Sequence, residues 1–226
     1  MPYHQHRHQH SYRHSLEVSN SLEVSHSEQS SYTPHGEAQR HALVHAAYEL
    51  IAEKGFEGLR TRDVAYRANV NIATLHYYFP HKEDLIRGVL EYIREQFTER
   101  HTLTPKLPET ALEEFRQELI DQDYQLTHAP EAYIVLFELG MRSLRDPFIK
   151  SIMPLLDTGW RSHIQSYLAQ GVREGVFRAD LDVEAAAAGL VAFLKGCVLQ
   201  RVINPQDFPT ERVYAELEHW LTGHAR

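Results

Sequence analysis

From Glu37 onward, apolar residues recur at three- and four-residue steps, which is the spacing of one face of an α-helix. The first run contains Ala42, Leu43, Ala46, Ala47, Leu50 and Ile51, and it ends at Gly55. Later runs predict helices over 82–97 and near 109–127, 130–145, 154–175, 182–203 and 209–222, with prolines and glycines at the breaks. No segment shows the alternating pattern of a strand. The sequence therefore predicts an all-α chain.

Residues 61–79 contain two short helical patterns separated by Asn69-Val70-Asn71. Their inward faces are apolar and comprise Val64, Ala65, Ala68, Leu75 and Phe79. Thr61 is predicted to be the N-cap of the first helix and Asn71 that of the second. Asn69 tolerates the left-handed conformation that a tight turn between helices requires. This arrangement predicts a helix-turn-helix, whose second helix enters the DNA major groove.

The outward side of the second helix carries small polar and aromatic residues where a solvated helix normally carries charge. Such side chains can reach base edges, thymine methyl groups or phosphates. We therefore expect DNA contacts from Thr61, Arg62, Asn71, Ile72, Ala73, Thr74, His76, Tyr77, Tyr78 and Lys82. The pattern leaves one alternative open, an ordinary helical corner in which Tyr77, Tyr78 and Phe79 are core residues.

A specific succession of motifs runs through residues 38–90. It comprises Glu53-Lys54-Gly55-Phe56, Gly58-Leu59, Thr61, Val64-Ala65, Ala68, Val70, Thr74-Leu75, Tyr78-Phe79-Pro80 and Lys82-Glu83-Asp84-Leu85. These residues resemble the DNA-binding domain of the TetR family of bacterial transcriptional repressors. The resemblance implies a repressor that binds a palindromic, double-stranded DNA operator as a homodimer and is released by a small-molecule effector. Asn69 replaces the usual turn glycine and His76-Tyr77 reverses the usual order, so no operator sequence can be carried over.

The resemblance also implies that the C-terminal two-thirds dimerise and bind the effector. The segment 182–203 is apolar on more than one face, and burial within one chain would explain only one of them. We expect a dimer interface formed by Leu190, Phe193, Leu194, Cys197, Val198, Arg201, Val213, Leu217, Trp220 and Leu221.

Bulky residues on the central helices are candidates for lining an effector pocket, although each would also suit a hydrophobic core. They are Phe97, Tyr124, Tyr133, Phe137, Met141, Met153, Trp160 and His163. An apolar, aromatic lining suggests a small hydrophobic effector. Glu138 lies in an apolar stretch and could meet a cationic effector, but Arg142 four residues later favours an i,i+4 pair instead.

Residues 1–35 are rich in His, Ser and Gln and predict a disordered tail. We expect the DNA-binding domain at 36–82 and an effector-binding and dimerisation domain at 83–226. The net charge of −8 does not exclude DNA, because residues 36–82 contain six Lys or Arg against five acidic residues. The alternating histidines from His4 to His10 could hold a divalent metal weakly, so a metal-sensing protein is one alternative function.

Other function classes find little support in the sequence. No uninterrupted apolar run approaches the roughly 18 residues of a membrane span, and there is no secretory signal. The single Cys197 suits a reducing cytoplasm, so we expect a soluble cytoplasmic protein without a membrane partner. No phosphate-binding loop or metal-ligand spacing occurs in the folded part, so no cofactor or metal is expected. A helical enzyme would have to use His163, Glu138 or Asp157, whose spacing suggests no catalytic constellation.

Overall fold

The computed structural model of the chain describes residues 33–101 and 108–223. These residues form α1 (Pro34–Lys54), α2 (Thr61–Arg67), α3 (Ile72–Tyr78), α4 (Lys82–His101), α5 (Ala111–His128), α6 (Glu131–Ser143), α7 (Pro147–Ile152), α8 (Pro154–Glu174), α9 (Val183–Ile203) and α10 (Thr210–Thr222). A 3-10 turn, Phe56–Gly58, lies between α1 and α2. Within the described ranges no residue is in a strand. The predicted all-α fold class is confirmed.

Local capping explains where two of the helices begin. The Thr33 side chain accepts a hydrogen bond from the Gly36 amide at 3.3 Å, and Pro34 occupies the first helical position. The last residues of the predicted tail therefore belong to α1, while its remainder, with the histidine series, lies outside the described residues. The short α7 was not predicted. Asp146 caps it by accepting from two amides of the next turn at 3.1 and 3.2 Å.

Contacts group the described residues into two compact units. The N-terminal unit contains the described residues up to 101 together with Thr127–Leu156, and so includes α1–α4, α6 and α7. The C-terminal unit contains residues 108–126 and 157–223, and so includes most of α5 and α8 together with α9 and α10. Each unit has its own cluster of buried apolar side chains.

The core of the N-terminal unit is built around α1, which lies against α2, α4 and α6. Gly88 lets α1 and α4 approach closely, because a Cβ at that position would lie only 2.9 Å from Val44 Cγ2. Helices α2 and α3 pack onto the same core through the buried Val64 and Leu75. Val135 of α6 is also fully buried there, so this core extends well beyond the predicted DNA-binding segment at 36–82.

In the C-terminal unit, α9 supplies much of the core. Its buried residues are Ala186, Ala187, Leu190, Val191, Leu194, Cys197 and Val198. All of these except Val198 belong to one cluster with Phe115 of α5, Leu168 of α8 and Leu217 of α10. By length and composition alone α9 is apolar enough to cross a membrane, which is weak support for a span because core helices pass the same test.

Candidate nucleic-acid interface

The turn between α2 and α3 has the predicted backbone geometry. Asn69 has a φ of 53°, in the left-handed region, and the Val70 amide donates to the Ala65 carbonyl at 2.9 Å. Asn71 caps α3, because its Oδ1 accepts from the Thr74 amide at 2.8 Å and from the Thr74 hydroxyl at 3.1 Å. Hydrogen bonds between residues close in sequence therefore stabilise the turn, without a contribution from tertiary contacts.

The predicted N-cap of α2 is wrong by one residue. Arg60 occupies the cap position without a side-chain hydrogen bond, and Thr61 is the first helical residue. The Val64 amide donates to the Arg60 carbonyl at 3.0 Å, so the backbone of Arg60 starts the helix. Thr61 is half-buried and Arg62 is exposed.

The two faces of α3 differ as the sequence predicts. Leu75 is 1% exposed, and Phe79, the residue that ends the helix, is 2% exposed. On the other side Tyr77 is 67% exposed and Ile72 is 41% exposed. Asn71, Ala73 and His76 are exposed as well, and Thr74 is half-buried. The outward side of α3 thus presents hydroxyl, imidazole, phenol and methyl groups without being required for the core.

Tyr78 differs from the other predicted DNA-contact residues. Its ring packs against the core of the N-terminal unit, and its hydroxyl donates to Gln39 Oε1 of α1 at 3.1 Å. The Tyr77 ring meets it edge-on, with centroids 5.0 Å apart. A hydrogen bond from Tyr78 to a phosphate would therefore have to replace its bond to Gln39. The contacts favour a role in orienting α3 on α1.

Lys82, predicted to anchor phosphate, belongs to a group that we call the Phe56 clamp: Phe56, Lys82, Glu138 and Arg142. The Lys82 ammonium and the Arg142 guanidinium each lie 4.8 Å from the centroid of the Phe56 ring. Glu138 Oε2 accepts a hydrogen bond from the Phe56 amide at 3.3 Å. Burial lowers the pKa of Lys82, and the nearby Glu57 carboxylate opposes that shift.

The clamp replaces the predicted i,i+4 pair between Glu138 and Arg142. Arg142 instead pairs with Glu57 at 2.5 Å and approaches Asp146 at 3.7 Å. Glu138 reaches back to the turn after α1, where Gly55 has a φ of 69° and leaves room for the carboxylate. The prediction of a local pair was wrong because both side chains found partners in residues distant in sequence.

Sequence reasoning missed two features of this surface. Tyr66, on the outward side of α2, is 88% exposed and lines an open depression with Arg67, Asn69, Val70 and Asn71. Its position opposite the apolar face of α2 could have identified it. Arg67 ties α2 to α1 through a two-pronged contact with Glu53 at 2.6 and 2.7 Å.

The predicted effector-pocket residues fall into two groups, one in each unit. Phe97, Tyr133, Phe137, Met141 and Met153 lie in the N-terminal unit, and Tyr124, Trp160 and His163 lie in the C-terminal unit. Phe97 and Tyr133 are in ring contact at 5.3 Å, and Met141 is exposed. Their role in effector binding stays a prediction.

The structure also narrows the predicted dimer surface. Six of its residues are buried and are not available to a partner: Leu190, Leu194, Cys197, Val198, Leu217 and Leu221. Arg201 pairs with Asp123 of α5. Phe193 and Trp220 are 38% and 41% exposed, and Val213 is half-buried.

A different stripe of α9 is exposed. It follows three- and four-residue steps and comprises Ala185, Gly189, Ala192, Gly196, Leu199 and Ile203. The stripe is apolar along its whole length and small over its first four positions. A Cβ added at Gly189 or Gly196 would have no neighbour within 4 Å. The sequence pattern could not isolate this stripe because nearly every face of α9 is apolar.

Two family models match the chain. One, described as bacterial regulatory proteins of the tetR family, matches residues 43–89. The other, described as the C-terminal part of BetI-type transcriptional repressors, matches residues 108–226, which is more than half of the chain.

Individual proteins are similar to this chain over most of its length. The fatty acid metabolism regulator protein of Bacillus subtilis is 25% identical over 166 residues, which cover 74% of this chain and 84% of that protein. The transcriptional repressor KstR2 of Rhodococcus jostii is 26% identical over 152 residues, covering 66% and 72%. A regulator structure from Saccharomonospora viridis, in complex with choline, superposes with a TM-score of 0.70 at 22% identity, covering 81% and 95%.

Proposed function

The chain belongs to the TetR family of bacterial regulatory proteins and is a DNA-binding transcriptional regulator, and from this premise we propose that it is a homodimeric repressor. It binds a pseudo-palindromic operator and is released by a small-molecule effector. Proteins of this family bind DNA operators and small-molecule effectors and are generally not enzymes. Because proteins of this family act on DNA inside the bacterial cell, we also propose a cytoplasmic location.

The division of α3 into a buried and an exposed face carries the proposal. Leu75 and Phe79 hold the helix on the core, so Tyr77, His76 and Thr74 can contact bases without loss of packing. The capped start of α3 at Asn71 fixes the direction in which these side chains project. In a helix-turn-helix the second helix reads the major groove, and its partner in a dimer reads the next half-site about one helical turn away.

The test is a titration of operator DNA with wild-type protein and matched variants. The operator is first selected from a random duplex pool with the full-length chain, and binding is followed by fluorescence anisotropy. Tyr77→Ala should weaken binding to the selected duplex. Ile120→Ala, which removes an exposed apolar side chain from α5, should leave it unchanged. Equal affinities for wild type and Tyr77→Ala would contradict the assigned role of α3.

For the dimer, we propose that the exposed stripe of α9 forms the centre of the interface, flanked by Phe193 and Trp220. Small side chains let two helices approach closely, and an apolar stripe of this length is unusual on a solvated helix. A two-fold axis passing near Ala192 would bring the stripe against its own copy. The bulkier Leu199 and Ile203 would then contact the partner's stripe further from the axis.

Sedimentation of single variants tests this interface. Ala192→Glu should shift the protein toward a monomer of 26.2 kDa, because a charge would be buried at the helix crossing. Phe193→Glu should act in the same direction. Ile120→Glu is the control, since Ile120 is a comparably exposed apolar residue on α5. A stable dimer in both α9 variants would place the interface elsewhere.

The relatives do not settle the chemical class of the effector. One is a fatty acid metabolism regulator, whereas another has been crystallised with choline, so these names indicate no common class of ligand. Neither assignment transfers to this chain at such identities. The class has to be argued from the residues of this chain.

A further inference from the structure

Two histidines of α1, His41 and His45, lie one helical turn apart at the surface of the N-terminal unit. His41 is exposed, and 43% of the His45 side chain is exposed. Their rings are nearly parallel, with an interplanar angle of 23° and centroids 6.5 Å apart. Both rings meet the Tyr92 ring of α4 in T-shaped contacts, at 5.6 and 5.7 Å. We call these two imidazoles the α1 histidine pair.

A carboxylate lies beside the less exposed imidazole of the pair. Glu49, one turn further along α1, places Oε1 3.6 Å from His45 Nδ1. A carboxylate in this position favours the neutral tautomer with the proton on Nδ1, which leaves the lone pair of Nε2 available. Histidines that bind metal ions usually have such a carboxylate or carbonyl beside the other ring nitrogen. His45 therefore has the surroundings of a metal ligand.

The charged groups around the α1 histidine pair do not oppose a cation. The Arg40 guanidinium lies 3.7 Å from Glu91 Oε2 of α4. Arg67 of α2 contacts Glu53 at 2.6 and 2.7 Å and approaches Glu49 at 3.8 Å. Each guanidinium thus faces at least one carboxylate, so neither adds an uncompensated positive charge next to the imidazoles.

The spacing of the pair suits one metal ion. Histidines four residues apart on a helix project from the same face and can bind one ion together. Neutral imidazole is a ligand for Zn²⁺, Ni²⁺ and Cu²⁺, whereas Mg²⁺ prefers oxygen ligands. Two imidazoles bound to tetrahedral Zn²⁺ at about 2.0–2.1 Å have ring centroids about 5 Å apart. The observed 6.5 Å is longer, and rotation of the exposed His41 side chain can shorten it.

We propose that His41 and His45 form a binding site for a divalent transition-metal ion such as Zn²⁺. The two imidazoles supply two ligands and water supplies the others, since no group of three or more metal-binding side chains occurs among the described residues. The proposal does not depend on the proposed function. It departs from the expectation that the folded part holds no metal, which overlooked the four-residue spacing of this pair.

The position of the pair indicates what a bound ion stabilises. Helix α1 lies against α2, α4 and α6, and its Gln39 accepts the hydrogen bond from Tyr78 of α3. An ion held by two successive turns of α1 favours the folded helix, because the unfolded chain does not keep the two ring nitrogens together. The ion would therefore strengthen the helix that supports the helix-turn-helix.

Thermal melts of the full-length protein, free of DNA, test the binding. A saturating concentration of Zn²⁺ should raise the melting temperature by at least about 2 °C, because the ion binds the folded state. Mg²⁺ at the same concentration should leave the melting temperature unchanged, and removal of Zn²⁺ with EDTA should reverse the shift. No shift with Zn²⁺, or an equal shift with Mg²⁺, would overturn the proposal.

Single variants locate the site. His41→Gln and His45→Gln each remove one ligand and should each abolish the Zn²⁺-induced shift. His128→Gln is the control, because His128 is an exposed histidine at the end of α5 and its variant should keep the full shift. Melts without metal show which variants are folded, and the exposed position of His41 makes His41→Gln the milder substitution. A full Zn²⁺ shift in folded His41→Gln would overturn the assignment.

The histidines of residues 1–32 are another source of imidazole ligands, so a second experiment separates them from α1. A full-length variant carries Gln in place of His4, His6, His8, His10, His14 and His26. Calorimetry on this variant should still detect Zn²⁺ binding, and adding His41→Gln should weaken it at least about tenfold, as expected when a metal site loses a ligand. Loss of Zn²⁺ binding in the first variant would assign the ion to residues 1–32 and overturn the α1 site. Unchanged affinity after His41→Gln would overturn it as well.

Discussion

Replacing Glu138 with alanine should loosen the turn between α1 and α2 more than removing Arg142 does. Glu138 supplies the acceptor for the Phe56 amide at 3.3 Å, and alanine leaves that partly buried donor without a replacement. An unsatisfied donor costs about 1–3 kcal/mol. Glu138→Gln retains an acceptor oxygen at the same place, so it should cost less than about 1 kcal/mol.

The contacts of Arg142 are more numerous than that of Glu138, but they contribute less to the free energy of unfolding. Its partner Glu57 has a side chain that is 85% exposed, and an exposed pair contributes about 0–1 kcal/mol. Its position over the Phe56 ring adds about 0.5–1 kcal/mol. Lys82 remains over the same ring when Arg142 is lost. Arg142→Ala should therefore cost about 1 kcal/mol in total.

Hydrogen exchange followed by mass spectrometry measures the effect where it occurs. Peptides covering the 3-10 turn Phe56–Gly58 should exchange about 5- to 150-fold faster in Glu138→Ala, and close to the wild-type rate in Glu138→Gln. Peptides from α9 in the same sample are the internal control. Two results would refute the reasoning: equal acceleration in the alanine and glutamine variants, or a larger effect from Arg142→Ala.

The same structural reasoning gives four further predictions. Leu75→Ala should destabilise the protein by about 2–5 kcal/mol, because it removes buried volume. Tyr77→Ala should change the free energy of unfolding by less than about 0.5 kcal/mol and still cost about 1–3 kcal/mol of operator binding. Thermal melts and operator titrations compare the two variants, and unfolding by Tyr77→Ala would favour a packed aromatic corner. Lys82→Ala should weaken operator and random DNA alike and lower the salt slope by about one, and a loss confined to the operator would contradict a phosphate contact. Asn69→Val should lower the free energy of unfolding in urea by about 1–2 kcal/mol, because valine does not tolerate the positive φ at this position, whereas Asn69→Gly should lower it by almost nothing. Equal effects of the two substitutions would show that the turn can relax. Gly88→Ala should cost about 1–3 kcal/mol by crowding Val44 in α1, and unchanged urea stability would show that the helices can separate without penalty.

The sequence by itself determined the parts of this protein that depend on near neighbours in the chain. The helical periodicity, the left-handed Asn69, the cap at Asn71 and the two faces of α3 all follow from contacts within a few residues. Capping and amphipathic spacing are local properties, so they can be recognised before the fold is known. The motif succession through residues 38–90 identified the family for the same reason.

Tertiary structure alone decided how side chains distant in sequence were paired. Tyr78 suits a DNA contact by its position on α3, but its hydroxyl is held by Gln39 of α1. Glu138 has an apparent partner four residues away, yet the Phe56 amide lies closer in space. Such choices depend on the packing of whole helices, which local periodicity does not specify.

The faces of α9 show most clearly what the sequence pattern could not predict. Its sequence is apolar on nearly every side, so periodicity gave no way to separate the side that builds the core from the side that is left exposed. Only the packing of α9 with α5, α8 and α10 buries Leu194 and exposes Ala192. Tyr167 is a similar case, since its position in the sequence of α8 does not reveal that the packed residue is only 3% exposed.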